Sequence, residues 1–368
     1  MWPVLAGALA PAALLGAGRP VLGSALHQHN GHRHRACSCS AAADAKIDWS
    51  FLDAAYVITC PDADGSNPRL DRVRPALDEV GLGDLVEVRE FAKDDEDRIR
   101  GCYSSHIAVL EEAQQRLKGK KDCNVLVLED NIDVSPRIAP ETLAAVKKYV
   151  TEPDTETRDM VHLAYIMYVP GLSTERMPGE DHIVRLLCTP DSILGTTAYI
   201  MTRSGLDSLL TEHARCGYSK GDAIPNVMAR LFPRSRFAAF PMPFHRAANI
   251  KSLVNAQLDN LRAILFLPPF YTAWEGLLVG SGLNTNVLFP ALVGSFVLLA
   301  LGSVAELTSA IAAASRGEEI SLLLPALSAI VAIPSLAICL YGLSLAPKPQ
   351  AANPPRAGTG AITSQAKP

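Results

Sequence analysis

The run Val125-Leu126-Val127-Leu128-Glu129-Asp130-Asn131-Ile132-Asp133 carries an aliphatic stretch straight into a cluster of carboxylates. Adjacent acids at the carboxyl end of a buried strand can hold a divalent cation that bridges a diphosphate, because ligands of α/β sheets bind at that end. Oxygen donors of this kind suit Mg2+ or Mn2+. An acidic turn or a helix N-cap after a strand is the competing reading of the same residues, so their surroundings must decide. His106 opens an amphipathic stretch, where it either meets a ligand or bonds to backbone. Ser105 beside it can cap a helix or face a diphosphate at the helix N-terminus, and Gly101 marks a close backbone approach.

These residues need elements to position them. Residues 54–59 (AAYVIT) and 124–128 (NVLVL) are short aliphatic runs suited to strands buried on both faces. Between them, Ile107, Leu110, Ala113 and Leu117 recur at helical spacing over 105–117, with Glu111, Glu112, Gln114, Gln115 and Arg116 on other faces. From 46 to 262 strand-like runs alternate with amphipathic stretches, the pattern of an α/β domain.

The chain has 368 residues, 48% hydrophobic and 20% charged, with a mean hydropathy of +0.14 that places apolar mass outside a soluble core. Lys and Arg number 34 against 38 Asp and Glu, so there is no basic footprint and nucleic acid is not an expected partner. Eight cysteines contain no C-x-x-C pair, and their spacing signals no zinc site. Residues 1–45 read as a targeting leader, a signal or transit peptide: Asp and Glu are absent until Asp44, and Trp2 to Gly18 is apolar. His27, His29, His32 and His34 within it read as low-complexity filler.

Beyond Glu275 the composition changes. Residues 276–305 and 320–347 carry no charge, and each run is long enough to span a bilayer. The expected spans are about 287–307 and 320–345, forming a hairpin within 276–347, with Phe270, Tyr271 and Trp274 as an interfacial aromatic belt. Residues 348–368 form a Pro-, Gly- and Ala-rich tail, expected to be disordered.

Several stretches, in order, resemble glycosyltransferase family 25, the group of bacterial lipooligosaccharide and animal procollagen galactosyltransferases. Ala55-Tyr56-Val57-Ile58-Thr59 followed by Asn67-Pro68-Arg69-Leu70-Asp71-Arg72 resembles the family's opening strand and arginine-bearing helix. Gly101-Cys102-Tyr103-Ser104-Ser105-His106 resembles its G-C-x-x-S-H signature, the most specific of these matches. Glu129-Asp130-Asn131 is similar to its E-D-D, and Thr197-Ala198-Tyr199-Ile200-Met201-Thr202-Arg203-Ser204-Gly205 to a later segment with a small-residue helix start; Pro241 to Pro243 resembles a proline-rich strand near the domain end. The resemblance covers roughly 50–255.

It implies an α/β fold of the A-type glycosyltransferase class, a Rossmann-like mixed sheet, followed here by the transmembrane helical hairpin. The implied activity is metal-assisted, inverting transfer of a hexose, galactose or glucose, from a UDP-sugar or related donor to a glycan, glycolipid or protein hydroxyl. Donor contacts then fall to Arg72, Gly101, Ser105, His106, Glu129, Thr197 and Tyr199, with Arg69 as a weaker candidate. Metal ligation falls to Asp130, Asn131, Asp133 and His245, with Mn2+ or Mg2+ as cofactor. Inversion needs a base on the acceptor hydroxyl, assigned to Asp222 or Asp191. Asn131 departs from the family triplet and removes a charge from the metal site. A degenerate domain that binds sugar nucleotide or glycan without turnover is therefore the alternative. The expected location is membrane-attached and multi-pass, with membrane lipid as a partner, in the endomembrane system (Golgi or ER). A plastid or cytosol-facing membrane is the competing site; the absence of any Asn-x-Ser/Thr sequon fits that second reading.

Overall fold

In the computed structural model the described residues are 47–152, 157–189, 194–248, 250, 267–317, 326, 329 and 330. The fold is mixed α/β around an eight-stranded sheet. In chain order the elements are β1 (Ala54–Thr59), α1 (Pro68–Glu79), β2 (Glu87–Glu90), α2 (Arg98–Arg116), β3 (Asn124–Glu129), β4 (Ile132–Val134) and α3 (Pro140–Thr151). They continue with β5 (Met160–Ala164), β6 (Ser173–Met177), β7 (Glu180–Leu187), β8 (Ala198–Thr202), α4 (Arg203–Cys216) and α5 (Ile224–Leu231). The described chain closes with β9 (Arg236–Ala239), β10 (Phe244–Arg246), α6 (Pro268–Ser281) and α7 (Thr285–Ala314).

The strand order is β2-β1-β3-β8-β5-β9-β7-β6. β2, β1 and β3 are parallel; β8 runs antiparallel between β3 and β5. The carboxyl ends of β1 and β3 and the amino end of β8 therefore share one edge. Beyond that edge β4 and β10 pair as a separate antiparallel ribbon.

Alternation along the central strands divides the core. Ala55, Val57, Leu126 and Leu128 join Leu70, Val73 and Leu77 of α1 and Leu143 and Val146 of α3 on one face. Tyr56, Ile58, Val125 and Val127 join Ile107, Leu110 and Ala113 of α2 and Leu206, Leu209 and Val227 of α4 and α5 on the other. Local chemistry starts the helices that matter: the Asn67 side chain accepts from Leu70 N–H ahead of Pro68, and the Asp97 carboxylate accepts from Ile99 and Arg100 N–H. The Asp97 cap starts α2 two turns earlier than the hydrophobic spacing implied, so Ser105 and His106 lie in the body of the helix.

A third cluster joins Val184 and Leu186 of β7 and Ala238 of β9 to Tyr271, Trp274 and Leu278 of α6. The aromatic belt expected at 270–274 is thus corrected: Tyr271 and Trp274 are core residues, and Trp274 Nε1 donates to Met167 C=O at 3.1 Å. α7 differs. It is long and apolar enough to cross a membrane, with a mean hydropathy of 2.3 over its most apolar 18 residues, of which 17% are buried in the fold. The fold describes this one such helix rather than a hairpin, since nearly all of the second expected span, 320–345, lies outside the described residues, as do the leader and the tail.

Candidate functional site

Glu129 ends β3, and Asp130 and Asn131 turn the chain into β4. Backbone bonds fix this corner: Glu129 N–H donates to Thr197 C=O at 2.9 Å and Asp130 N–H to Ile58 C=O at 3.1 Å. Asp130 is 3% exposed and both its oxygens are engaged. Oδ2 accepts from the Thr59 hydroxyl at 2.6 Å, and Oδ1 faces Arg69 Nη2 at 2.6 Å. Arg69 stands in the first turn of α1, and its Nε and Nη1 are buried without a hydrogen-bond partner. Burial pushes the Asp130 carboxyl above its ordinary range, and Arg69 and Thr59 only partly offset this.

Glu129 is held from three sides. The Thr196 hydroxyl donates to Oε1 at 2.7 Å, Asn131 Nδ2 donates to Oε2 at 2.8 Å, and His106 Nε2 lies 3.4 Å from Oε1. Burial alone would raise this carboxyl, but the proximity of His106, with the Thr196 hydrogen bond and the charge of Arg246, outweighs it and holds it at about 2. His106 is buried in α2, its Nδ1 3.0 Å from the Tyr199 hydroxyl and its ring stacked on that of Tyr199. One helical turn earlier is Cys102, whose thiol is pushed up by burial, with Glu129 and Cys60 adding to the shift.

The remaining residues singled out from the sequence fall into two groups. Arg72, Asp133 and His245 lie at the β4–β10 ribbon beside this corner. Arg72 pairs with Asp133 and donates from Nη2 to Ile132 C=O at 2.6 Å, while His245 stands opposite Asp133 in register and stacks on Tyr271. Thr197 supplies a backbone carbonyl to the corner, and Thr196, not foreseen, supplies the side chain. Tyr199 is fully buried behind His106. Gly101 does serve close approach, but to the chain itself: a Cβ there would lie 2.8 Å from Asp94 Cβ in the loop before α2. Ser105 spends its hydroxyl on Gly101 C=O within the helix at 2.8 Å. Asp222, before α5, is bound by Arg230 through both carboxylate oxygens at 2.9 and 2.5 Å. Asp191 lies outside the described residues.

As placed, the oxygen set expected for manganese does not fit a cation. Asp130 is already neutralised by Arg69 and Asp133 by Arg72, and Asn131 turns its amide nitrogen toward Glu129, leaving Oδ1 buried without a partner. Among the described residues, the group of Cys, His, Asp and Glu donors close enough to share an ion is Cys102, His106 and Glu129, whose ligand atoms all lie within 4.8 Å of one another. Cys102 belongs to the signature quoted above, but its spacing to Glu129 through the fold carried no sequence signal.

No protein-family model matches this chain, and no curated protein matches it. Solved structures do match in chain trace. One is a glycosyltransferase involved in the glycosylation of the major capsid of PBCV-1, at 9% identity and a TM-score of 0.33, covering 57% of this chain and 99% of that one. Another is the inositol-1-phosphate CTP transferase from T. maritima, at 10% identity and 0.30, covering 58% and 96%. A third is an apo-UDP-glucose pyrophosphorylase, at 10% identity and 0.30, covering 58% and 82%.

Proposed function

We propose that this chain is a membrane-attached glycosyltransferase that uses a nucleoside diphosphate sugar, with the diphosphate bound at the corner between β1, β3 and α1. The observation that supports this most is Arg69. Its guanidinium is oriented by Asp130 and keeps two buried donors unpaired at the first turn of a helix, where backbone N–H groups also favour anions. A buried donor without a partner costs about 1–3 kcal/mol. A phosphate oxygen would satisfy both nitrogens and recover that cost.

The chemistry follows from these residues. Departure of the diphosphate places negative charge on its oxygens, which Arg69 stabilises in a dry setting; Arg72, on the next turn of α1, adds to this once it releases Asp133. Glu129, held ionised by its neighbours, stands at the same edge and stabilises the positive charge that develops at the anomeric carbon. Asp222 or Asp191 takes the proton of the acceptor hydroxyl; Asp222 must first release Arg230. The sugar is a hexose, galactose or glucose, and the acceptor a glycan, glycolipid or protein hydroxyl, presented at an endomembrane surface to which α7 anchors the enzyme.

A second reading, a binder of sugar nucleotide without turnover, draws on the same Arg69–Asp130 pair and on Asn131, which leave the corner without the negative charge a catalytic cation needs. The purified full chain, incubated with UDP-, GDP- and CMP-sugars with and without manganese, separates the two. Turnover of one donor, lost in Asp130→Ala, is the expected result. Saturable binding without turnover, persisting after acceptor screening and in Asn131→Asp, identifies the binder. Failure of every donor to bind overturns both readings.

A further inference from the structure

We infer that Cys102, His106 and Glu129 form a zinc-class metal site that adjoins the proposed diphosphate corner and shares Glu129 with it. Cys102 and His106 are four residues apart in the body of α2, the spacing that brings two side chains onto one helix face. Glu129 approaches that face from the end of β3. A thiolate, an imidazole and a carboxylate are the donors that zinc accepts together, and three protein ligands with one open position is the arrangement of its catalytic centres. Around a tetrahedral zinc, ligand atoms bound at about 2.0–2.3 Å lie roughly 3.3–3.8 Å apart. The observed 3.4 Å between His106 Nε2 and Glu129 Oε1 already has that length, and all three donors lie within 4.8 Å.

The surroundings are those of a ligand set. His106 Nε2 is buried and has no hydrogen-bond partner, while its other nitrogen is 3.0 Å from the Tyr199 hydroxyl, which fixes the ring and accepts Nδ1–H when Nε2 binds an ion. Glu129 is oriented by Thr196 and Asn131, so the carboxylate cannot swing away from the helix without breaking two hydrogen bonds. Thiolate and carboxylate together balance the two charges of the ion. Arg246 also acts on Glu129 through its charge, and an ion there competes with it. The cysteine spacing gave no hint of this, because the three ligands come from a helix and a strand rather than from a C-x-x-C knuckle.

The test uses the purified full chain without any nucleotide, so that its outcome does not depend on the transferase reading. Stripped protein is titrated with zinc against a chromophoric chelator, and with cobalt to look for the thiolate-to-cobalt charge-transfer band. One ion per chain is expected. Cys102→Ser should abolish the cobalt band and weaken zinc by at least the ~10–100-fold that loss of an outer-shell partner costs, while leaving the thermal midpoint of the metal-free protein within a few degrees. His106→Gln should weaken zinc comparably, and Tyr199→Phe less. Absence of stoichiometric zinc or cobalt uptake overturns the assignment, as does uptake indifferent to both Cys102→Ser and His106→Gln.

Discussion

At the residue scale the corner shows how far residue types alone can be read. The carboxylates at 129 and 130 were legible because an aliphatic strand ends in them. What they touch was not, since it depends on which turn of α1 faces β3. Arg72 was the favoured phosphate ligand, yet it spends its charge on Asp133 while Arg69 faces Asp130. That pairing sets a stability prediction. Arg69→Met leaves the Asp130 carboxylate buried and without its counter-ion, an arrangement that costs about 3–5 kcal/mol. Urea denaturation should show this loss, and the double variant Arg69→Met, Asp130→Asn should recover most of it, because the orphaned charge is gone. If the single variant unfolds like the parent protein, Arg69 does not neutralise Asp130 in solution.

At the element scale, strands were read more accurately than helix starts. The 54–59 and 124–128 runs appear as β1 and β3, because a central strand buried on both faces has little choice of residue. The start of α2 was misplaced because Asp97 is a cap in a polar stretch with no apolar periodicity. α4 depends on a close approach that the small-residue helix start does not by itself reveal: a Cβ on Gly205 would lie 2.2 Å from the carbonyl oxygen of Asp159 at the head of β5. Gly205→Ala must push the helix off the sheet and should cost about 1–3 kcal/mol; an unchanged unfolding midpoint would mean that α4 does not dock this closely.

α6 carries a titratable group in its core. Glu275 is fully buried, accepts from Met242 N–H at 2.8 Å and pairs with Arg137, with the Tyr165 and Tyr271 hydroxyls as the other titratable neighbours. Burial raises its carboxyl to about 7, against the pull of Arg137 and the Met242 bond. The folded state therefore keeps a proton that the unfolded chain releases near the ordinary carboxylate value of about 4.3. Its contribution to stability is full below that value and is lost as pH rises through about 7. Glu275→Gln keeps the acceptor for Met242 and has no such slope. Its stability relative to the parent should climb between pH about 5 and about 8, followed by denaturant midpoints across that range; a difference independent of pH would show that Glu275 does not titrate there.

At the scale of the whole molecule, composition announced apolar mass outside the core, with the first span expected to begin at about 287. The boundary lies inside the apolar C-terminal region rather than before it. Residues 276–281 finish α6 against the sheet, Thr285 ties the start of α7 to Val169 C=O at 2.6 Å, and Leu288 is the last large apolar side chain buried there. Further along α7, Leu298 and Leu301 are 72% and 64% exposed, a costly surface in water over so long a helix. A bilayer would cover it. A charge at the centre of a spanning helix costs about 2.5–3.5 kcal/mol, so Leu298→Asp with Leu301→Asp should move the full chain from the carbonate-resistant membrane pellet into the soluble fraction. The α/β unit should stay folded, because both leucines are largely exposed. A double variant that remains in the pellet would assign membrane attachment to a segment other than α7.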